Sequence, residues 1–228
     1  MDYVFPPPAT VTLPVLGSEH VVPVHRVYCV GRNYAAHAIE MGYDPEKEPP
    51  FFFQKSPDTL LTGGRDFPYP PLSSDVHHEI ELAVVLGKGG ENIKVGDALS
   101  TVFGYAVALD MTRRDLQTTM KTQGRPWEIG KSFEQSAPCS DVVLAQDIGH
   151  PDAGEIRLDV NGARRQSGDL SHMIWKTPEL ISELSRYFVL QPGDVILTGT
   201  PAGVGSVERG DELQGHIDGI GTLTVAVR

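Results

Sequence analysis

The sequence predicts an α+β fold in which strands dominate. Three observations lead there. Apolar stretches with the length of buried strands, roughly four to eight residues, recur along the chain. Between them lie 24 glycines and 18 prolines, scattered rather than clustered, which mark frequent turns. One segment, beginning at Thr177, carries a sustained apolar face at helical spacing. The length, 228 residues, fits one domain over 1–228, with residues 1–25 as a small N-terminal strand appendage.

The elements follow in order. Val11-Thr12-Leu13 and Val21-Val22-Pro23-Val24 read as short strands broken by prolines, able to form an edge hairpin. Val27-Tyr28-Cys29-Val30 is a strand. It turns through Gly31-Arg32-Asn33 into a short helix from Tyr34 to Met41, with Asn33 at the N-cap and Gly42 just past the end. A polar loop, Asp44 to Pro50, precedes the strand Phe51-Phe52-Phe53-Gln54-Lys55. Glu79 to Leu86 and Val102 to Asp110 are strands, and a helix is expected from Thr112 onward. Ile156 to Val160 runs into Asn161-Gly162, a strong hairpin signal. Thr177-Pro178-Glu179 opens the best helix, with Thr177 as N-cap and Leu180, Ile181, Leu184, Tyr187 and Phe188 on one face. Val195 to Thr198 and Leu223 to Val227 complete the strands.

Composition narrows the function classes. Nineteen basic against 30 acidic residues give a net charge of −11, which argues against nucleic acid or an anionic membrane as partner. A small anionic ligand remains compatible, provided a metal ion or a group of basic side chains makes a local positive site. No apolar run reaches membrane-spanning length. The first residues lack the pattern of a secretory signal, and two cysteines, Cys29 and Cys139, are too few for a disulfide framework. A cytoplasmic protein with free thiols is expected.

The sharpest chemical signal is His77-His78-Glu79-Ile80-Glu81-Leu82. On a strand, residues two apart share a face, so Glu79 and Glu81 lie side by side. Either that face is solvated, or a cation sits between two carboxylates that would otherwise repel. Asp110, which ends an apolar run, is either a helix N-cap or a third ligand. Three carboxylates with waters would suit Mg²⁺ or Mn²⁺, and no cysteine or histidine spacing suggests zinc. His37 and Glu40, three apart on the short helix, make either an inconsequential exposed pair or a carboxylate-oriented general base. Of the basic residues Arg32, Lys55, Arg113, Arg114, Lys121, Arg125 and Lys131, most are expected in solvent. Lys131 stands apart, because small and apolar residues flank it and a buried lysine needs an anionic partner. The Gly-rich turn after Leu197, Thr198-Gly199-Thr200-Pro201-Ala202-Gly203-Val204-Gly205, is either a tight turn or a set of backbone N–H groups presented to a carboxylate.

Taken together, these stretches resemble the fumarylacetoacetate hydrolase family in its short form. The match runs from Tyr28-Cys29-Val30-Gly31-Arg32-Asn33-Tyr34-Ala35-Ala36-His37 through the Glu79–Glu81 stretch, Gly104-Tyr105 to Thr112, Gly130-Lys131-Ser132-Phe133, Asn161-Gly162 and the Gly-rich turn. The resemblance implies a layered mixed β-sheet fold with a β-roll-like core, and a homodimer. It implies metal ligands at Glu79, Glu81 and Asp110, catalytic roles for His37, Glu40 and Lys131, and substrate contacts at Arg32, Arg114, Gln117 and Thr200. Glu48-Pro49-Pro50-Phe51-Phe52-Phe53 and Gly168-Asp169-Leu170-Ser171 look like the members that hydrolyse fumarylpyruvate late in gentisate breakdown, whereas Lys55-Ser56-Pro57 departs from the common Lys-Pro. The implied substrate is a small anionic 2,4-dioxo acid. Water activated by His37 and Glu40 would attack the 4-carbonyl and break the C3–C4 bond, releasing a pyruvate enolate whose charge the metal and Lys131 offset. The alternative on the same scaffold is an oxaloacetate decarboxylase or keto–enol tautomerase. A distal carboxylate would call for an arginine, with Arg32, Arg114 and Arg125 all open.

Overall fold

The computed structural model describes residues 2–36 and 49–228. Its centre is a six-stranded sheet. In spatial order the strands are Val143–Leu144, Val102–Leu109, Ile80–Leu86, Val195–Leu197, Val27–Gly31 and Phe51–Lys55. Every neighbouring pair is antiparallel except Val195–Leu197 with Val27–Gly31. All seven residues of Ile80–Leu86 are buried, so this strand has no polar alternation to display. Its residues alternate between two cores instead. Ile80, Leu82, Val84 and Leu86 face one, while Ala83 and Val85 face the other.

The first core lies between the central sheet and a four-stranded antiparallel sheet in the order Ala163–Asp169, Glu155–Val160, Glu212–Ile217, Gly221–Ala226. The helix Thr177–Tyr187 adds Leu180, Ile181 and Leu184 to it. The second core lies under the hairpin Thr12–Pro14 with Val21–Pro23, whose Leu13 and Val22 pack on Cys29, Ala83 and Ala106. Strands therefore dominate, with few helices, as the sequence predicts. No described helix is long and apolar enough to cross a membrane.

Several boundaries differ from expectation. The strand expected from Glu79 begins at Ile80. The preceding Val76–His78 pairs instead with Gly205–Ser206 and Thr112–Arg113 in a separate three-stranded sheet. Glu79 thus sits where the chain passes from one sheet into another. The helix expected from Thr112 begins at Arg114, because Thr112–Arg113 is held in that small sheet. Thr177 is not the N-cap of its helix but its first residue. Lys176 caps it, its backbone N–H donating to the Glu179 carboxylate at 2.9 Å. Tyr187 leaves the apolar face and is exposed, and Phe188 is already extended. The strand Glu212–Ile217 was not expected, since Gly215 and His216 blur its alternation. Asn161 and Gly162 make the expected turn with φ of 51° and 77°. The helix expected over Tyr34–Met41 and the loop Asp44–Pro50 lie largely outside the described residues. The Asn33 side chain, expected as an N-cap, instead joins two loops. It donates to the carbonyls of Trp175 and Thr198 and accepts from the Trp175 N–H.

Candidate active site

Register brings the carboxylates together. Ile80 pairs with Leu109 and Glu81 with Ala108, and one step further the Asp110 N–H donates to the Glu79 carbonyl at 2.8 Å. Asp110 therefore stands across from Glu79, at the end of the same strand pair. One carboxylate oxygen from each of Glu79, Glu81 and Asp110 lies within 4.8 Å of the others, and all three residues are buried. Asp110 is thus no helix cap.

Buried cations compensate the charge. Lys131, at the end of the short helix Glu128–Lys131, donates to Glu79 Oε2 (2.8 Å), Asp110 Oδ2 (2.7 Å) and Thr112 Oγ1 (2.7 Å). Burial alone would depress its ammonium, but Asp110 and Glu79 outweigh this and hold its pKa above the usual lysine value. Arg114 donates to Glu79 Oε1 and, at 2.6 Å, to Gln117 Oε1. Lys55 is the residue that sequence reasoning placed with the solvated bases, yet it is buried. Its Nζ lies 2.8 Å from Asp110 Oδ1, an ionic contact without hydrogen-bond alignment, and it donates to Ser136 Oγ and to the carbonyls of Met111 and Lys131. Nothing local marked Lys55 for burial: it follows the exposed Gln54 in its strand, and its partners Asp110 and Ser136 lie far along the chain.

Among the described residues, no cation hydrogen-bonds to Glu81. The Glu81 carboxylate accepts the Gly199 N–H at 2.7 Å. The Gly-rich turn thus presents a backbone N–H to the protein's own carboxylate. Gly199 has φ +96°, and a Cβ there would come within 2.7 Å of Asn33 Cβ, so no side chain fits. Burial, followed by the charges of Asp110 and Glu79, pushes the Glu81 carboxyl far above its usual range. Three carboxylate oxygens held this close, one reluctant to ionise, form an all-oxygen donor set that suits a hard divalent cation.

The same cleft is lined by Arg32, Arg114, Gln117, Lys131 and Thr200. Thr200 Oγ1 accepts from Gln166 Nε2 at 2.8 Å. Gln166 is fully buried and was not foreseen. Its Oε1 takes the Ile80 N–H and contacts His78 Nδ1, so it ties the Gly-rich turn to the segment carrying Glu79. Eight sequence-predicted residues thus converge on one cleft: Arg32, Glu79, Glu81, Asp110, Arg114, Gln117, Lys131 and Thr200. His37 and Glu40 lie outside the described residues. Arg125 is exposed and does not line this cleft.

Comparison with known proteins gives a consistent picture. The family model of the fumarylacetoacetate (FAA) hydrolase C-terminal domain matches residues 26–228. A fumarylpyruvate hydrolase from a Ralstonia species is 44% identical over 184 residues, 81% of this chain and 95% of that one. The mitochondrial oxaloacetate tautomerase FAHD1 of Mus musculus is 43% identical over 202 residues, 89% of this chain and 91% of that one. The crystal structure of fumarylpyruvate hydrolase from Pseudomonas aeruginosa in complex with Mn²⁺ and pyruvate superposes with a TM-score of 0.97 at 51% identity, covering 99% of both chains.

Proposed function

The chain belongs to the fumarylacetoacetate hydrolase family, and from that membership we propose that it is a metal-dependent C–C bond hydrolase converting fumarylpyruvate and water to fumarate and pyruvate. The observation that carries the reading is the buried Glu79–Glu81–Asp110 cluster, set in a chain similar throughout its length to a fumarylpyruvate hydrolase whose structure holds Mn²⁺ and pyruvate.

Glu79, Glu81 and Asp110 would hold Mg²⁺ or Mn²⁺. The bound ion supplies positive charge beside the oxygen that becomes anionic as the C3–C4 bond breaks. Lys131 fixes one oxygen each of Glu79 and Asp110, and its retained charge faces the same cleft. The Gln117 carboxamide, held by Arg114, and the Thr200 hydroxyl, held by Gln166, offer oriented polar groups to the dioxo acid. His37 takes the proton of the attacking water and Glu40 orients its imidazole, a pairing supported by their spacing. Resemblance supports extending the reading to a homodimer, acting in the cytoplasm within gentisate breakdown.

Loss of the conjugated enol absorbance of fumarylpyruvate tests this, with and without EDTA. The expected result is cleavage to fumarate and pyruvate that EDTA abolishes and Mn²⁺ restores. His37→Ala should bind Mn²⁺ normally and lose roughly 10²–10⁴-fold in rate, the usual contribution of a general base. Full hydrolysis by that variant would remove His37 from the mechanism. The likeness to an oxaloacetate tautomerase favours the second reading, a decarboxylase or keto–enol tautomerase. Release of CO₂ or enol–keto exchange from oxaloacetate, with fumarylpyruvate untouched, would establish it instead.

A further inference from the structure

We infer that Gln166 is a positioning residue of the carboxylate site: its side chain bridges a gap between the chain that carries Glu79 and Glu81 and the turn that holds Glu81, and thereby sets the affinity for a divalent cation. The inference rests on the proposed metal dependence and deepens it.

The gap follows from register. Ile80–Leu86 and Val195–Leu197 are antiparallel, with Val195 opposite Val85, Ile196 opposite Val84 and Leu197 opposite Ala83. One step on, the Thr198 N–H still donates to the Leu82 carbonyl at 3.0 Å. Continued regularly, the ladder would set Gly199 opposite Glu81 and Thr200 opposite Ile80. Instead the strand ends at Leu197, and the chain turns away through Gly199 with φ +96°. Backbone groups freed in this way inside a protein need other partners. Side chains supply them at both positions. The Gly199 N–H donates to Glu81 Oε2 at 2.7 Å, and the Ile80 N–H donates to Gln166 Oε1 at 3.0 Å.

Gln166 reaches the gap from the strand Ala163–Asp169, on which the turn rests directly. A Cβ at Gly203 would fall 2.1 Å from the Arg165 carbonyl oxygen. Backbone partners fix the direction of the carboxamide. An N–H can only donate, so the Ile80 N–H must face Oε1. A carbonyl can only accept, so the Pro201 carbonyl must face Nε2, 2.8 Å away. The second proton of Nε2 goes to Thr200 Oγ1 at 2.8 Å, and His78 Nδ1–H donates to Oε1 at 2.9 Å. Every donor and acceptor of this fully buried amide is used. It stands as a rung between Ile80 and Thr200, the pair that the ladder would otherwise bring together.

The consequence falls on two of the three carboxylates. Glu81 Oε2 is held by Gly199, and Gln166 anchors the two residues that follow Gly199. Ile80, which separates Glu79 from Glu81, is held by the same carboxamide. Gln166 itself neither lines the cleft nor belongs to the carboxylate cluster, so its effect on a cation passes through Glu79 and Glu81. Residues that orient a metal's ligands in this way govern its affinity almost as strongly as the ligands do.

The experiment is Gln166→Met, which keeps the bulk of the side chain and removes the carboxamide. The calorimetric Kd for Mn²⁺ should rise roughly 10–100-fold over wild type. Leu184→Ala, in the core under the helix Thr177–Tyr187, should lower stability and leave that Kd unchanged, which separates positioning from a general loss of stability. In the metal-free proteins, amide exchange followed by NMR should quicken at Ile80 and Gly199 relative to Val84, further along the same strand, by up to about tenfold for a lost hydrogen bond. Gly199 is the informative amide, because its N–H bonds to Glu81 and not to Gln166. An unchanged Kd in Gln166→Met, or Gly199 exchange that merely follows Val84, would overturn the inference. Wild type binding no Mn²⁺ would instead refute the proposed metal site. Exchange at Gly199 would then decide by itself whether Gln166 positions Glu81, acceleration supporting that role and unaltered exchange overturning it.

Discussion

The antiparallel pair Ile80–Leu86 and Val102–Leu109 buries opposite chemistries at its two ends. Around Val84 and Leu86 aliphatic side chains fill the first core. At the other end Ile80 pairs with Leu109, and within one residue of that pair stand Glu79, Glu81 and Asp110 with Lys55 and Lys131 among their partners. Leu82 and Asp110 are both 0% exposed, so burial does not separate core from site. The energetics do. Apolar burial contributes about 25 cal/mol per Å² whatever the neighbours. Buried ions must recover their desolvation cost from specific partners, and removing one partner leaves an uncompensated charge. The comparison teaches that one end is held by shape and the other by charge balance.

The largest test of that difference is Lys131→Ala. It leaves Glu79 and Asp110 without their shared ammonium and should destabilise the metal-free protein by about 3–5 kcal/mol, measured by denaturant unfolding. Mn²⁺ should return more stability to this variant than to wild type, because a cation replaces the lost charge. Equal stabilisation of both would break the charge-balance account. Leu86→Ala, at the aliphatic end, should cost about 2–5 kcal/mol through lost burial and a cavity. Here Mn²⁺ should stabilise variant and wild type alike.

A smaller effect sharpens the ionic end. Glu81 holds its proton well above the usual carboxylate range, chiefly through burial. In the proposed metal site the ion would need the carboxylate form, so binding below that raised pKa would release a proton. Affinity for Mn²⁺ should therefore rise with pH, by up to about tenfold per unit for one proton released, as calorimetry in buffers of different ionisation enthalpy can show. A pH-independent affinity would mean that Glu81 is already ionised. The smallest effect concerns the cysteines. Burial raises both thiols, Cys139 to about 12, so neither should react with a thiol reagent in the native protein at pH 8, and both should after unfolding.

Much of this was legible in the sequence, and for definable reasons. Phe51–Lys55 and the strand into Asn161-Gly162 were readable because local apolar runs and turn residues act over a few positions. Glu79, Glu81, Asp110 and Lys131 were readable because each breaks a local pattern, either as paired carboxylates on a strand or as a charge set among apolar residues. Lys55 and Gln166 were not. A lone lysine or glutamine in a short strand looks the same in solvent as in a core, until the partners that satisfy it are known. Those partners come from Ser136 and Asp110 in one case and from His78 and Thr200 in the other, far away in sequence.

By itself, then, the sequence determined the strand-rich class, most element positions and the chemical types at the site, because these depend on side-chain identity and local periodicity. Only the tertiary structure decided that Glu79 lies at the passage between two sheets, that Gly199 serves Glu81, that Arg114 is committed to Glu79, and that Arg32 lies against Phe51. Those facts depend on which strands pair and in what register, and register is set by how whole faces bury against one another rather than by any single stretch of residues.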